Sequence, residues 1–97
     1  MPRILYAPKA FDDLQRLVDF LLPRDPAAAE GTFGLIESAV SILASHPLIG
    51  RSCENGMREL VISRGSTGYL ALYRYSVQRD EVVILALRHQ REAGWVS

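Results

Sequence analysis

The chain has 97 residues, a formal net charge of zero and a single cysteine. This length suits one domain, residues 1–97, while the neutral charge argues against strong non-specific nucleic-acid binding and a lone cysteine excludes an internal disulfide framework. Apolar runs of only a few residues and an N-terminus without a hydrophobic signal core lead us to expect a cytoplasmic protein without a membrane span.

The first half of the chain predicts a short strand followed by two helices. Arg3–Tyr6 has strand character, and apolar residues recur at helical spacing from Pro8 until Pro23 ends the helix. Asp25 and Pro26 then provide an N-cap and a first-turn proline for a second helix. Its predicted apolar stripe consists of Ala29, Phe33, Ile36, Val40 and Leu43. The polar side of the first helix is assigned Asp12, Asp13, Gln15, Arg16 and Asp19. Because only residues 23–25 separate the helices, we expect an antiparallel helical hairpin.

The second half predicts three strands. Residues 57–62 form the first, and residues 69–77 and 82–87 flank a polar turn as a β-hairpin with a four-residue loop. Simple alternation places Leu87 on the face opposite Ile84. We therefore predict an α+β fold, in which an N-terminal strand and an antiparallel helical hairpin accompany a three- to four-stranded, mainly antiparallel sheet.

Candidate chemistry concentrates on the predicted sheet. No metal site is expected, since His46 and His89 lie far apart and Cys53 has no cysteine partner. The polar candidates are Glu59, Arg74, Arg88, His89 and Arg91. A carboxylate or imidazole that takes a 2′-hydroxyl proton, with an arginine on the phosphate, would allow acid–base cleavage of RNA. The alternative is a solvated sheet edge with ordinary surface arginines, because the strand register decides which side chains share a face.

Four short motifs follow the helical hairpin in a fixed order: HPLIGR at 46–51, MREL at 57–60, YLALYR at 69–74 and LRHQR at 87–91. Their order and spacing resemble the RelE/ParE superfamily of bacterial toxins from type II toxin–antitoxin modules. The resemblance implies one of two activities: RelE-like members cleave mRNA on the ribosome, and ParE-like members poison DNA gyrase without a nuclease site. Both are neutralised by an antitoxin that wraps the toxin, which implies a toxin–antitoxin hetero-oligomer.

Departures from the nuclease pattern favour the ParE-like interpretation. The chain is neutral, has no lysine near its second predicted strand, and has Leu70 where nuclease members tend to carry an arginine. His89 is close to the position of a terminal catalytic His or Tyr but is followed by Gln90 and Arg91. We therefore expect a gyrase inhibitor that blocks replication and growth, of the kind that stabilises plasmids, with no cofactor and no covalent chemistry.

Two other functions stay open from the sequence. The first is a ribosome-dependent mRNA endoribonuclease that uses Glu59, Arg74 and His89, and the second is a degenerate member that only binds an antitoxin. For the preferred function, the expected partner-binding residues are Arg74, Arg88, His89, Arg91 and Trp95. Trp95 either folds back as a lid on the core or joins the arginines in an interaction patch. Antitoxin binding is expected on extra apolar positions of the helical hairpin, namely Leu22, Leu35 and Ala39, and on an exposed sheet edge.

Overall fold

A computed structural model describes residues 1–63, 68–92, 94 and 95. Two α-helices precede most of a five-stranded sheet. In chain order the elements are β1 (Arg3–Tyr6), α1 (Pro8–Leu21), α2 (Pro26–Ser41) with a 3₁₀ turn (Ile42–Ala44), β2 (Arg51–Ser52), a 3₁₀ turn (Glu54–Gly56), β3 (Arg58–Ile62), β4 (Tyr69–Ser76) and β5 (Glu81–His89). The predicted α+β architecture is confirmed.

Both helices begin as the sequence predicts. Each has a proline in its first turn, where the missing N–H costs no hydrogen bond. Asp25 caps α2, because its Oδ1 accepts a hydrogen bond from the Ala28 N–H at 3.1 Å. The connection between the helices is short, and the two helices pack against each other.

The sheet has the order β1-β5-β4-β3-β2, so the last strand in sequence lies next to the first. β1 pairs parallel to β5, and the other neighbouring pairs are antiparallel. The prediction of three to four strands did not include β2, a two-residue strand inside the expected loop that pairs with β3. A strand this short carries no alternation for the sequence to reveal.

A β-bulge in β5 changes which residues share a face. Leu72 pairs with Ala86, whereas Tyr73 pairs with Ile84, so Leu85 is an extra residue opposite that step of β4. Leu87 therefore lies on the same face as Ile84, and both are buried in the core between the sheet and the helices. The predicted opposite placement of Leu87 and Ile84 was wrong because it assumed an unbroken alternation.

The core lies between the helical hairpin and one face of the sheet. Tyr73, Ile36, Leu43 and Ile62 are among its largest fully buried side chains. One predicted stripe position is wrong, since Phe33 is 46% exposed while the neighbouring Thr32 is buried. The Thr32 hydroxyl lies 3.2 Å from the Tyr69 hydroxyl, and this hydrogen bond offsets the cost of burying a polar side chain.

Asp13 is also buried, although the helical pattern assigned it to the polar side. Its Oδ2 accepts a hydrogen bond from the Leu87 N–H at 2.9 Å, and both carboxylate oxygens accept from Lys9 Nζ at 3.0 Å. β1 pairs with β5 only as far as Ile84, which leaves the Leu87 N–H without a strand partner on that side. Asp13 therefore supplies from α1 the acceptor that the sheet lacks.

The segment Pro26–Ala44 is long and apolar, while the absence of a membrane span stays a prediction. It is a helical segment of 19 residues with a mean hydropathy of 1.2, which by length and composition is enough to cross a membrane. Scanning for uninterrupted apolar runs overlooked it because Glu30 and Glu37 divide the segment. In the fold, Ile36 and Val40 of this segment are packed in the core, as expected for a helix that covers a sheet.

Candidate functional site

The face of the sheet that points away from the helices carries part of the predicted site. This open face includes Glu59, Leu70, Leu72, Arg74 and Arg88, whose strand neighbours point towards the helices. Trp95 also lies here, because its Nε1–H donates to Glu59 Oε2 at 3.0 Å. Trp95 therefore does not cover the main core, as one of the two predictions had it, but lies on the opposite face beside Arg88.

Glu59 already has partners for both carboxylate oxygens. Arg51 Nη2 donates to Oε1 at 2.7 Å, and the Trp95 indole donates to Oε2. These two contacts hold the carboxylate in place. As placed, Glu59 ties β2 and the C-terminal tail to β3.

The two arginines of the open face differ in their surroundings. Arg74 is exposed, and its Nη2 donates to the Asn55 carbonyl at 3.1 Å. Arg88 is half-buried, and its guanidinium lies 4.9 Å from the centre of the Trp95 ring, which is a cation–π distance. Arg88 Nη1 also donates to the Glu92 carbonyl. Arg74 is therefore the more accessible of the two.

His89 lies on the helix-facing side of the sheet, in a groove between the helical hairpin and the ends of β4 and β5. The groove has a volume of about 860 Å³ and is lined by apolar residues including Phe20 and Leu35 and by the polar residues Arg16, Thr32, Tyr69, His89, Arg91 and Glu92. The His89 ring contacts Tyr69 edge-on, with 5.3 Å between ring centres. His89 Nδ1 accepts a hydrogen bond from the Arg91 N–H at 3.1 Å.

The sheet therefore separates the residues of the nuclease hypothesis. Glu59 and Arg74 lie on the open face, whereas the His89 side chain lies on the opposite face. The expected partner-binding set divides in the same way, since Arg88 and Trp95 join Arg74 while Arg91 lies with His89 in the groove. The sequence did not indicate Arg16 or Glu92 as residues of the site. The fold places both in the groove with His89, and no local sequence pattern predicts this.

The residues expected to bind an antitoxin have different exposures. Leu22 is 50% exposed at the end of α1, and Leu35 is 41% exposed and lines the groove. Ala39 is half-buried against the core, so it offers less surface than the other two. Phe11, Phe20 and Ile42 add further exposed apolar surface to the helical layer.

A second feature of the fold is the loop of residues 46–50, which is held in place by hydrogen bonds with the Tyr73 hydroxyl. The Tyr73 hydroxyl accepts from the Gly50 N–H and donates to the Pro47 carbonyl, each at 2.8 Å. Burial raises the pKa of the Tyr73 phenol above its ordinary value, and the Gly50 hydrogen bond and Arg58 act in the opposite direction. This anchoring leaves Leu48 and Ile49 exposed at the end of the molecule away from the groove.

No cluster of three or more His, Cys, Asp or Glu side chains that would hold a metal ion occurs within residues 1–63, 68–92, 94 and 95. Cys53 is half-buried and unpaired with another cysteine in this part of the chain. The chemistry of the described surfaces therefore comes from arginine, histidine, carboxylate and aromatic groups.

Comparisons with known proteins identify the family. Residues 4–94 match the family model described as the ParE toxin of the type II toxin–antitoxin system parDE. A relative named Toxin RelE3, from Caulobacter vibrioides, is 41% identical over 92 residues, which cover 95% of this chain and 98% of the relative.

Two solved structures share the fold. One, described as a chromosomal ParDE toxin–antitoxin system from P. aeruginosa, has a TM-score of 0.76 and 25% identity over 92% of this chain and 96% of its own. The other, the toxin–antitoxin complex RelBE2 from Mycobacterium tuberculosis, has a TM-score of 0.61 and 24% identity over 93% and 100% of the two chains. With the order of its motifs and its five-stranded sheet, this chain belongs to the ParE toxin family of type II toxin–antitoxin systems, within the RelE/ParE superfamily.

Proposed function

We propose that this toxin inhibits DNA gyrase, stabilises its cleaved DNA complex and so blocks replication. The observation that carries the proposal is the separation of His89 from Glu59 and Arg74 by the sheet. Acid–base cleavage of RNA requires the proton acceptor, the proton donor and the phosphate ligand within hydrogen-bond reach of one phosphate. Side chains on opposite faces of a sheet do not meet this requirement, which favours a toxin that acts by binding.

Electrostatics support the same proposal. The chain has zero formal net charge and only one lysine, Lys9. Binding to ribosomal RNA relies on the release of counterions by many basic side chains, and a neutral protein gains little from it. In addition, Glu59 is held by Arg51 and Trp95 and is not a free base in this conformation.

A ribosome-dependent mRNA endoribonuclease is the second candidate, and the groove supplies the observation that favours it. His89, Arg91, Arg16 and Glu92 line the same cavity, so an imidazole, two guanidinium groups and a carboxylate are close together there. The name of the Caulobacter relative, RelE3, agrees with this candidate. Such a nuclease would use these groove residues in place of Glu59 and Arg74.

A cognate antitoxin is the proposed second partner, and the helical hairpin with its groove is the proposed binding surface. The P. aeruginosa and M. tuberculosis structures are both described as toxin–antitoxin assemblies. In this chain Leu22 and Leu35 are exposed and aliphatic, and an amphipathic segment of a partner would bury them. We assign His89 and Arg91 to this antitoxin side, and Arg74, Arg88 and Trp95 to the gyrase side.

The test compares both activities in parallel with purified protein. Relaxed plasmid with gyrase and ATP measures inhibition of supercoiling, and supercoiled plasmid with gyrase and ATP measures accumulation of linear DNA. A translating extract measures cuts in mRNA. We expect linear DNA to accumulate and mRNA to stay intact. Arg74→Gln, which changes an exposed side chain of the open face, should weaken gyrase inhibition without loss of folding.

His89→Ala separates the two mechanisms. A general acid or base contributes about 10²–10⁴-fold to a rate, so a nuclease that uses His89 would lose that much. A gyrase inhibitor with His89 on the antitoxin side should retain nearly all of its inhibition. Cut mRNA with no linear DNA, and loss of toxicity in a folded His89→Ala protein, would overturn the proposal in favour of the nuclease.

A further inference from the structure

Two carboxylates accept hydrogen bonds from the edge of β5 that β1 does not cover. One belongs to Asp13 of α1 and the other to Glu92 of the C-terminal tail. Beyond Ile84, where β1 ends its pairing, the Leu87 N–H donates to Asp13 and the His89 N–H donates to Glu92 Oε1 at 2.8 Å. The other oxygen of Glu92, Oε2, lies 3.0 Å from Arg16 Nη1. Glu92 therefore joins the end of β5 to helix α1 at the groove.

The same tail reaches the open face. The Glu92 carbonyl accepts from Arg88, whose guanidinium stacks on Trp95, and Trp95 donates to Glu59. Arg16, Glu92, Arg88, Trp95 and Glu59 thus form a continuous series of contacts from the groove to the opposite side of the sheet. Such a series couples two surfaces when breaking a contact at one end shifts the population of the contact at the other.

We propose that Glu92 couples the groove to the open face, and we call it the latch. When Glu92 loses its ion pair with Arg16 in the groove, the contact of Trp95 with Glu59 on the open face becomes weaker. Arg16 is the group on which an incoming partner would act, because it lines the groove and its side chain is 49% exposed. A partner with an acidic residue beside an apolar one would place the apolar residue against Phe20 and Leu35 and compete with Glu92 for Arg16.

The identity of that partner rests on the proposed function, in which an antitoxin fills the groove and gyrase meets the open face. The latch then lets the antitoxin change the target-binding surface without touching it. Coupling is reciprocal, so fixing Trp95 on the open face would also strengthen the hold of Glu92 on Arg16.

The experiment uses the toxin alone, so its result does not depend on gyrase or on an antitoxin. Trp95 is the single tryptophan of the chain and gives one indole N–H resonance in a ¹⁵N-labelled sample. Solvent exchange of this proton reports how often Trp95 leaves Glu59. The variants are Arg16→Gln and Glu92→Gln, with Arg24→Gln as the matched control because Arg24 lies over Phe20 and contacts no described tail residue.

We expect exchange to become about two- to fivefold faster in Arg16→Gln and in Glu92→Gln, which is the range for a partly exposed ion pair. Arg24→Gln should exchange at the rate of the unmodified protein. The double variant should be no faster than the faster single one, because both substitutions remove the ion pair between Arg16 and Glu92. The other ion pair of Arg16, with Asp13 at 3.8 Å, lies within α1 and does not reach the tail. Reciprocally, Glu59→Gln should speed exchange of the His89 amide, which donates to Glu92.

Unchanged indole exchange in both Arg16→Gln and Glu92→Gln, together with faster exchange in Glu59→Gln, would overturn the latch and show that the open face alone holds Trp95. Added NaCl tests the unmodified protein in case a variant does not fold. Screening weakens the exposed ion pair, so indole exchange should accelerate with salt in the unmodified protein and much less in Glu92→Gln. An equal response in both proteins would also refute the coupling.

Discussion

Replacing Asp13 with alanine should destabilise this toxin far more than replacing its neighbour Asp12. Asp13 is buried and accepts hydrogen bonds from the Leu87 N–H and from Lys9, whereas Asp12 is exposed on the same helix. The two variants remove the same chemical group from adjacent positions. Their difference therefore measures the contacts of the buried carboxylate, namely the hydrogen bond from Leu87 and the ion pairs within α1.

The magnitude follows from two contributions. Alanine leaves the Leu87 N–H without its acceptor in the interior, which costs about 1–3 kcal/mol. The lost ion pair with Lys9, whose side chain is 45% exposed, adds at most about 1 kcal/mol. We expect a total of about 2–3 kcal/mol, and for a domain of this size a decrease in Tm on the order of 10–20 °C. Asp12→Ala should stay within about 0.5 kcal/mol of the unmodified protein.

Urea and thermal unfolding followed by circular dichroism measure these differences. Asp13→Asn should fall between the two alanine variants, because the amide oxygen still accepts from Leu87 but carries no charge for Lys9. Equal stability of Asp13→Ala and Asp12→Ala would refute the reasoning. It would mean that water or another acceptor satisfies the Leu87 N–H once the carboxylate is gone.

Three further predictions concern Tyr73, Gly34 and Gly50. The folded pKa of Tyr73 is raised by burial, so the stability that this phenol contributes is complete below its unfolded pKa of about 10 and is lost as the pH rises through the folded pKa. The urea midpoint of the unmodified protein should therefore fall above about pH 10, and that of Tyr73→Phe should fall less steeply. An identical fall in both proteins would show that other groups cause the effect. Gly34→Ala should stabilise α2 by about 0.5–1 kcal/mol because the added Cβ has no neighbour within 4 Å. Gly50→Ala should destabilise by about 1–3 kcal/mol, because its Cβ would lie 2.6 Å from the Tyr73 ring; the reverse order of the two midpoints would contradict both estimates.

The elements themselves were predictable from the sequence because their signals are local. Helical spacing and the prolines at 8 and 26 define the helical hairpin, and two apolar runs around a polar turn define the β-hairpin of β4 and β5. Strand β2 was not predictable, since two residues carry no periodic signal. The sequence does not show which of Asp12 and Asp13, or which of Thr32 and Phe33, is buried. That depends on how each helix is rotated about its axis, which only tertiary contacts determine.

The residues of the candidate site could be predicted from the sequence, but their positions relative to one another could not. Glu59 and Arg74 are each on the expected strand, whereas β5 extends past its predicted end at residue 87 to include His89. The strand register decides whether these side chains share a face. The residues of β5 that follow the bulge at Leu85 lie on the face opposite to the one that simple alternation from the start of the strand predicts. The contact of Arg16 with Glu92 joins the first helix to the tail, and no local pattern reports a pairing over that distance.

The position of β5 has a consequence for how the toxin is made. β5 comes last of the strands in synthesis, yet it supplies the neighbour of β1, the neighbour of β4 and the N–H that Asp13 accepts. At about 5–20 residues per second, β1 and α1 emerge several seconds before the strand that they pack against. A nascent or truncated chain without residues 81–89 therefore lacks the central part of its sheet. The sheet and the contact of α1 with β5 therefore form only after β5 has been synthesised.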